Sequence, residues 1–414
     1  MKLRALAGAL VLAGMMAPAF ATNGYFSHGY GIKSKGMAGV GFAYGQDALA
    51  AATNPANMVL VGSRWDVGLD YFRPQRESRL DASVFGPLAG TYEGNDTENF
   101  FIPEFGYNQM IGNNMSLGVS VYGNGGMNTD YGDLNNRTMG MIFGTGSVGV
   151  DLMQLFVAPT WAMKVNDRNA IGVTLKIAYQ RFKAYGIQNF DNPMMSSSPG
   201  NVTNRGYDDS WGYGIGLGWT GQLTPTFSVG VAYQSRTWMS KFDKYKGLFA
   251  EQGDFDIPEN YGIGFAWKAT PQLTIAADIQ RINYGDIKSI ANRGSNMAQL
   301  GTSNGPGFGW ENITAYKLGI SYDVNKEWTL RAGYSWNDEP YAGTETFFNV
   351  LAPGVIKEHA TLGATWRMPN GAELSFAYMH AFKNTISGTP GSMSQGVSNT
   401  MYEDSFGIAY GMKF

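Results

Sequence analysis

The chain has 414 residues, a formal net charge of −3, three His and no Cys. Without a basic excess it offers no electrostatic footprint for nucleic acid, without Cys it has neither disulfides nor thiolate chemistry, and three scattered His give no ligand spacing for a metal. Charged residues are 15%, against the ~25% usual for globular proteins, while aromatics reach 14% and Gly numbers 56, which argues against a soluble globular chain.

Residues 1–21 join Lys2 and Arg4 to an apolar run over 5–16 and end in Ala19-Phe20-Ala21, the small-x-small pattern of a cleaved signal peptide. The mature chain is expected to begin at Thr22. No later stretch reaches the roughly 20 consecutive apolar residues of a spanning helix, so an exported chain without a transmembrane helix is predicted.

Residues 22–61 form the one long segment that does not alternate like a strand. Glycines at 24, 29, 31, 36, 39, 41 and 45 stand among Ala and aromatic residues, so this backbone can pack closely against neighbours. Asp47 is placed to cap a turn over 48–52, and Asn54 to cap a second with Pro55 at its first position. Such a knot has too little apolar surface to fold alone. It is expected to plug an enclosure built by residues 62–414.

From Arg64 onward, apolar or aromatic residues recur at every second position, the signature of strands with unlike faces. The rows begin with Trp65, Val67, Leu69 and Tyr71. The clearest is Trp211, Tyr213, Ile215, Leu217 and Trp219, with Gly at every intervening position, and the last is Phe406, Ile408, Tyr410, Met412 and Phe414. About fourteen rows can be counted. Short turns at 111–114, 165–169, 221–224, 268–271, 323–326 and 367–371 alternate with long loops at 74–99, 124–151, 183–208, 235–256, 284–310, 337–356 and 383–401. This asymmetry, with aromatics at the row ends, predicts an all-β membrane protein: an antiparallel transmembrane β-barrel of the Gram-negative outer membrane, long loops outside and short turns in the periplasm. The terminal Phe414 resembles the signal by which the barrel-assembly machinery recognises such chains. A soluble β-sandwich would rarely keep small residues along a whole strand face.

The stretch GMAGVGFAYGQDALAAATNPANM resembles the hatch of the FadL-type long-chain fatty-acid transporters of the outer membrane, a family that also includes aromatic-hydrocarbon transporters. Chain length, strand count and the terminal Phe fit the same family. The resemblance implies passive uptake of a hydrophobic small molecule past outer-membrane lipid and lipopolysaccharide. Capture would occur among the long loops, followed by transfer to a pocket gated by the hatch residues Asn54, Pro55 and Ala56 and by sideways exit at an inward kink of the third strand. The matching stretch is Gly123, Asn124, Gly125 and Gly126, whose glycines supply a local reason for a bulge; the same residues also read as the start of a long loop. Arg181 stands where the family places a partner for a carboxylate. Strict alternation points it outward, so either a bulge turns it in or it snorkels at the interface.

Strand phase turns Lys176, Lys317 and Arg331 inward, as candidates for a carboxylate headgroup or as ordinary luminal charge. Phe242, Tyr245, Leu248 and Phe249 in one loop, with Met194 and Met195 in another, are candidates for a first docking groove or for loop self-packing. Because basic residues are available, fatty acids are the favoured substrate and hydrocarbons the alternative. His28, His359 and His380 are set in no nucleophile motif, so no catalysis is expected. A hydrophilic diffusion porin would need a charged, water-filled lumen, whereas the inward positions are mostly Gly, Ala, Ser and Thr. A monomer without cofactor or metal is expected.

Overall fold

The computed structural model describes residues 22–132 and 142–414; the expected leader, residues 1–21, and part of the expected loop 124–151 lie outside them. Among the described residues sixteen strands join one sheet, and two of these, Gly90–Glu93 and Trp238–Met239, are short strands in loops. The fourteen others run in chain order as β1 (Arg64–Leu80), β2 (Phe100–Ile111), β3 (Met115–Tyr131), β4 (Val148–Asn166), β5 (Asn169–Tyr185), β6 (Asp208–Thr224) and β7 (Phe227–Gln234). They continue as β8 (Asn260–Lys268), β9 (Leu273–Ile282), β10 (Ile313–Asp323), β11 (Trp328–Asn337), β12 (Glu358–Arg367), β13 (Ala372–Ser387) and β14 (Val397–Lys413). Each pairs antiparallel with its sequence neighbours, and β14 returns to β1 from Arg64↔Lys413 to Leu80↔Val397, closing the barrel.

The alternating rows all fall in strands. Leu69, Val173, Leu175, Ile215, Leu318 and Leu362 are between 41% and 62% exposed, a continuous apolar face that only hydrocarbon solvates. Aromatic pairs edge it, Tyr179 with Trp211 towards the loops and Trp328 with Trp366 towards the turns. Several strands outrun their rows: β1 reaches Leu80, β3 reaches Tyr131 and β13 reaches Ser387, all inside segments expected to be loops. Beyond the membrane the ladder continues but lipid no longer selects apolar side chains, so the period-2 signal ends before the strand does.

Residues 22–61 lie inside the barrel and are almost wholly buried. Asp47 Oδ1 accepts from Leu49 N–H at 3.0 Å, and Asn54 Oδ1 accepts from Ala56 N–H at 3.0 Å to start the turn Pro55–Asn57. A helical turn that sequence reasoning did not find, Ile32–Lys35, follows Gly31, whose φ of 83° favours glycine. Small residues on the inner face make room for this plug. A β-carbon at Gly172, Gly218 or Gly230 would collide with Pro55, Asn54 or Phe42. Gly172→Val should therefore push the plug off β5, costing about 1–3 kcal/mol of stability and exposing residues 22–61 to protease in a barrel that still closes; a wild-type digestion pattern would refute this packing.

Candidate functional site

The plug makes few backbone bonds of its own, and wall side chains supply the rest. Glu104 on β2 accepts from Gly31 and Ile32 N–H at 3.2 and 3.0 Å, and Asp278 on β9 from Gly41 and Phe42 N–H at 2.7 and 3.1 Å. Asp66 on β1 accepts from Ala48 N–H and Thr361 on β12 from Ala38 N–H. Asn54 is fully buried, and its Nδ2 donates to Phe42 O, Trp219 O and Thr220 Oγ1 at 2.6, 3.1 and 3.0 Å, tying the plug to β6. Ion pairs Lys33–Glu373 and Lys35–Asp70, each at 2.5 Å, fix the Ile32–Lys35 turn to β13 and β1.

One seam of the wall is incomplete. β2 and β3 pair only between Phe105↔Val121 and Ile111↔Met115. Towards the loops β2 stays on β1 as far as Phe72↔Phe100, and β3 stays on β4 as far as Tyr131↔Val148, but among the described residues the two no longer pair with each other. A bulge between Gly123 and Gly125 shifts the register of β3 by one residue against β4. From residue 122 to 129 every side chain of β3 is buried, where the preceding residues alternate, because the strand has turned inward. The seam closes again at Asp130, whose N–H donates to Gly94 O at 3.2 Å while its carbonyl accepts from Asp96 N–H at 3.1 Å. Residues 100–104 and 122–129 thus frame a window in the hydrogen-bond ladder. The plug lies behind it: Ser27 N–H donates to Asn124 O at 3.0 Å, Gly126 N–H to Tyr25 O at 3.1 Å, and Tyr30 Oη–H to Asn124 Oδ1 at 3.0 Å.

The four basic candidates are dispersed. Lys176, Lys317 and Arg331 face the lumen, each engaged with a neighbour. Lys176 donates to Ser235 O at 3.0 Å, Lys317 to His28 O at 2.8 Å, and Arg331 to Gln46 Oε1 and Thr365 Oγ1 at 2.8 and 2.7 Å. Arg181 does not turn inward. Its pairing with β6 is unbroken, so alternation keeps it in the outer row, with its guanidinium 3.9 Å from the Tyr207 ring centre and 3.7 Å from Asp209.

Two apolar pockets lie among the strand ends and long loops. The outer one is lined by Val150, Phe182, Ile187, Phe190, Leu248, Phe249, Phe308, Phe348 and Leu351 with little polar surface besides Ser289. Of the loop candidates, Leu248 and Phe249 line it, whereas Phe242 and Tyr245 pack behind on Phe182; Met194 is 87% exposed and outside it. The inner one, narrower, lies against the kinked strand between Phe72, Arg76, Met127, Asn128, Trp310 and Met401. Sequence reasoning missed Arg76 and Trp310. Both stand in stretches read as loops, and the residues after Tyr71 carry no alternation of polarity that would have marked the continuation of β1.

A family model described as "Outer membrane protein transport protein (OMPP1/FadL/TodX)" matches residues 15–413. A long-chain fatty acid transport protein of Escherichia coli O6:H1 is 20% identical over 407 residues, covering 86% of this chain and 88% of its own. Among solved structures, the Pseudomonas putida toluene transporter TodX superposes with a TM-score of 0.70 at 18% identity, over 94% of this chain and 99% of its own. The Ralstonia pickettii toluene transporter TbuX gives 0.68 at 19% identity, with the same coverage.

The plug also carries a pH-sensitive contact. The His28 ring stacks on that of His359 on β12, centres 6.0 Å apart, and burial, with Lys35 and Lys317 alongside, pulls the His28 imidazole down to about 3. A displaced plug would leave His28 near its ordinary value. Between those values the displaced state binds more protons, so this contribution to docking is present above the ordinary value and is lost as pH falls. Acidification to about pH 5 should weaken docking by about 2 kcal/mol relative to His28→Asn, read as faster hydrogen exchange over residues 22–61. The same pH response in both proteins would refute it.

Proposed function

This chain belongs to the outer membrane transport protein family (OMPP1/FadL/TodX), outer-membrane β-barrels that carry hydrophobic compounds, and on that premise we propose that its substrate enters among the long loops and leaves sideways through the window between β2 and β3. The observation that carries this reading is the interruption of the β2–β3 ladder after Val121 and its closure at Asp130. A hydrophobic molecule gains about 0.8 kcal/mol per buried CH₂ in hydrocarbon and nothing on entering periplasmic water. The plug fills the straight path, whereas the window lies beside lipid. The outer pocket serves as the capture site, the inner pocket as the last station before exit, and the Asn54 contacts to β6 as the fixed point of the hatch.

For the substrate class, the largely apolar outer pocket and the engagement of Lys176, Lys317 and Arg331 with neighbours favour neutral molecules, the kind that TodX and TbuX carry by name. A second reading, long-chain fatty acids, is favoured by Arg76 in the wall of the inner pocket and by the named activity of the Escherichia coli relative.

Uptake of labelled toluene and of labelled oleate by cells lacking their own transporter separates these readings. Toluene uptake should appear with the wild-type chain and fall about tenfold, ~1.4 kcal/mol of barrier, when Asn124 is deleted and β3 returns to one-to-one register with β4. Oleate uptake alone would select the second reading. Normal uptake by a folded Asn124 deletion would end the sideways route. The double variant Asn54→Ala, Pro55→Ala should change uptake of whichever substrate is carried; an unchanged rate would remove the hatch from the path.

A further inference from the structure

One buried side chain ties together the upper edge of the window. Arg76 on β1 is 2% exposed, and its guanidinium reaches both sides. Nη1 donates to Asn128 O and Oδ1 at 2.7 and 2.9 Å, Nη2 to Thr97 O at 2.6 Å, and Nε to Asn95 Oδ1 at 3.4 Å. Asn128 belongs to the inward-turned part of β3, while Asn95 and Thr97 belong to the segment that leads into β2. All these acceptors are neutral, an unusual setting for a buried charge.

A buried carboxyl group with no hydrogen-bond partner among the described residues stands nearby. Glu403 on β14 is fully buried, and among the described residues neither of its oxygens has a hydrogen-bond partner. The register sets Glu403 opposite Pro74 and Met401 opposite Arg76, so Arg76 and Glu403 are diagonal neighbours on the luminal face, ~7–8 Å apart at the backbone and within reach of an arginine side chain. The other acids near this edge are already bonded: Asp404 to His380 and Tyr378, Asp130 to Thr97, and Glu98 to Gln75 and Arg73.

We propose that Arg76 is a positioning residue of the exit with two alternative seats. On Asn128, Asn95 and Thr97, as in this structure, it holds residues 127–130 in place and keeps the window narrow. On Glu403 it releases them and the window widens. The inference rests on the reading of the window as the exit. Because Arg76, Asn128 and Met401 also line the inner pocket, a molecule seated there touches the groups that set the window, and occupancy is coupled to opening.

The chain has no Cys, so spin labels at Phe101→Cys and Met153→Cys report the width of the window without background. Glu403→Gln, which removes the second seat, and Asn128→Asp, which strengthens the first, should each lower toluene and oleate uptake about tenfold and collapse the label distances to one short population. Arg76→Gln should broaden the distances, and Arg76→Lys, which keeps the charge without the fork, should not restore the wild-type distribution. Heat-modifiable migration on gels certifies a folded barrel in every variant. Wild-type uptake and distances in folded Glu403→Gln would overturn the proposal. If the Asn124 deletion abolishes uptake while Glu403→Gln is silent, this proposal alone falls; if the deletion transports normally, the exit reading falls and this one with it.

Discussion

The structure depends on the hydrogen bonding of a backbone that cannot satisfy itself. Residues 22–61 hold only short helical turns, so their N–H and C=O groups need partners in a lumen from which they exclude water. The wall provides them: carboxylates from β2 and β9 each accept a pair of N–H groups and one from β1 accepts a single N–H, while Lys317, Asn108 and Ser120 donate to the carbonyls of His28, Met58 and Ala48. Bonds to charged groups are worth about 1.5–3 kcal/mol each, so the luminal charges act as a fixed solvent for the plug. This also accounts for the inner glycines, since such bonds form only where wall and plug backbones approach closely.

The same constraint separates the two kinds of charge in the barrel. Lys176, Lys317 and Arg331 are buried and engaged with the plug or the neighbouring strands and loops, whereas Arg181 lies over Tyr207 on the outer surface. The path proposed for apolar molecules, from the phenylalanine-lined outer pocket past Trp310 to the kinked strand, avoids these three side chains and meets one buried charge, Arg76.

What could be read from the sequence was what lipid imposes. Each row from Trp65 to Phe414 had to keep an apolar residue at every second position, and the closed sheet of fourteen strands follows that pattern; the caps at Asp47 and Asn54 were legible because they are local. The continuation of β1 to Leu80 was not, since above the membrane Arg73, Gln75, Glu77 and Arg79 alternate by no rule of polarity. Arg76 and Glu403 were lost with it, because their meaning comes from a pairing between the first and last strands. The glycines at 123, 125 and 126 gave equal grounds for a bulge and a loop, and only the register against β4 separates them.

The closure of β14 on β1 bears on how the molecule is made. The groups that bond the plug come from β1, β2, β9, β10 and β12, strands spread around the full circumference. No half-built sheet presents them all. A partly assembled wall therefore leaves the plug's backbone groups unmatched, and zipping the first strand to the last completes both structures together. Order of synthesis puts the plug first, yet the full set of partners for its backbone exists only in the closed barrel.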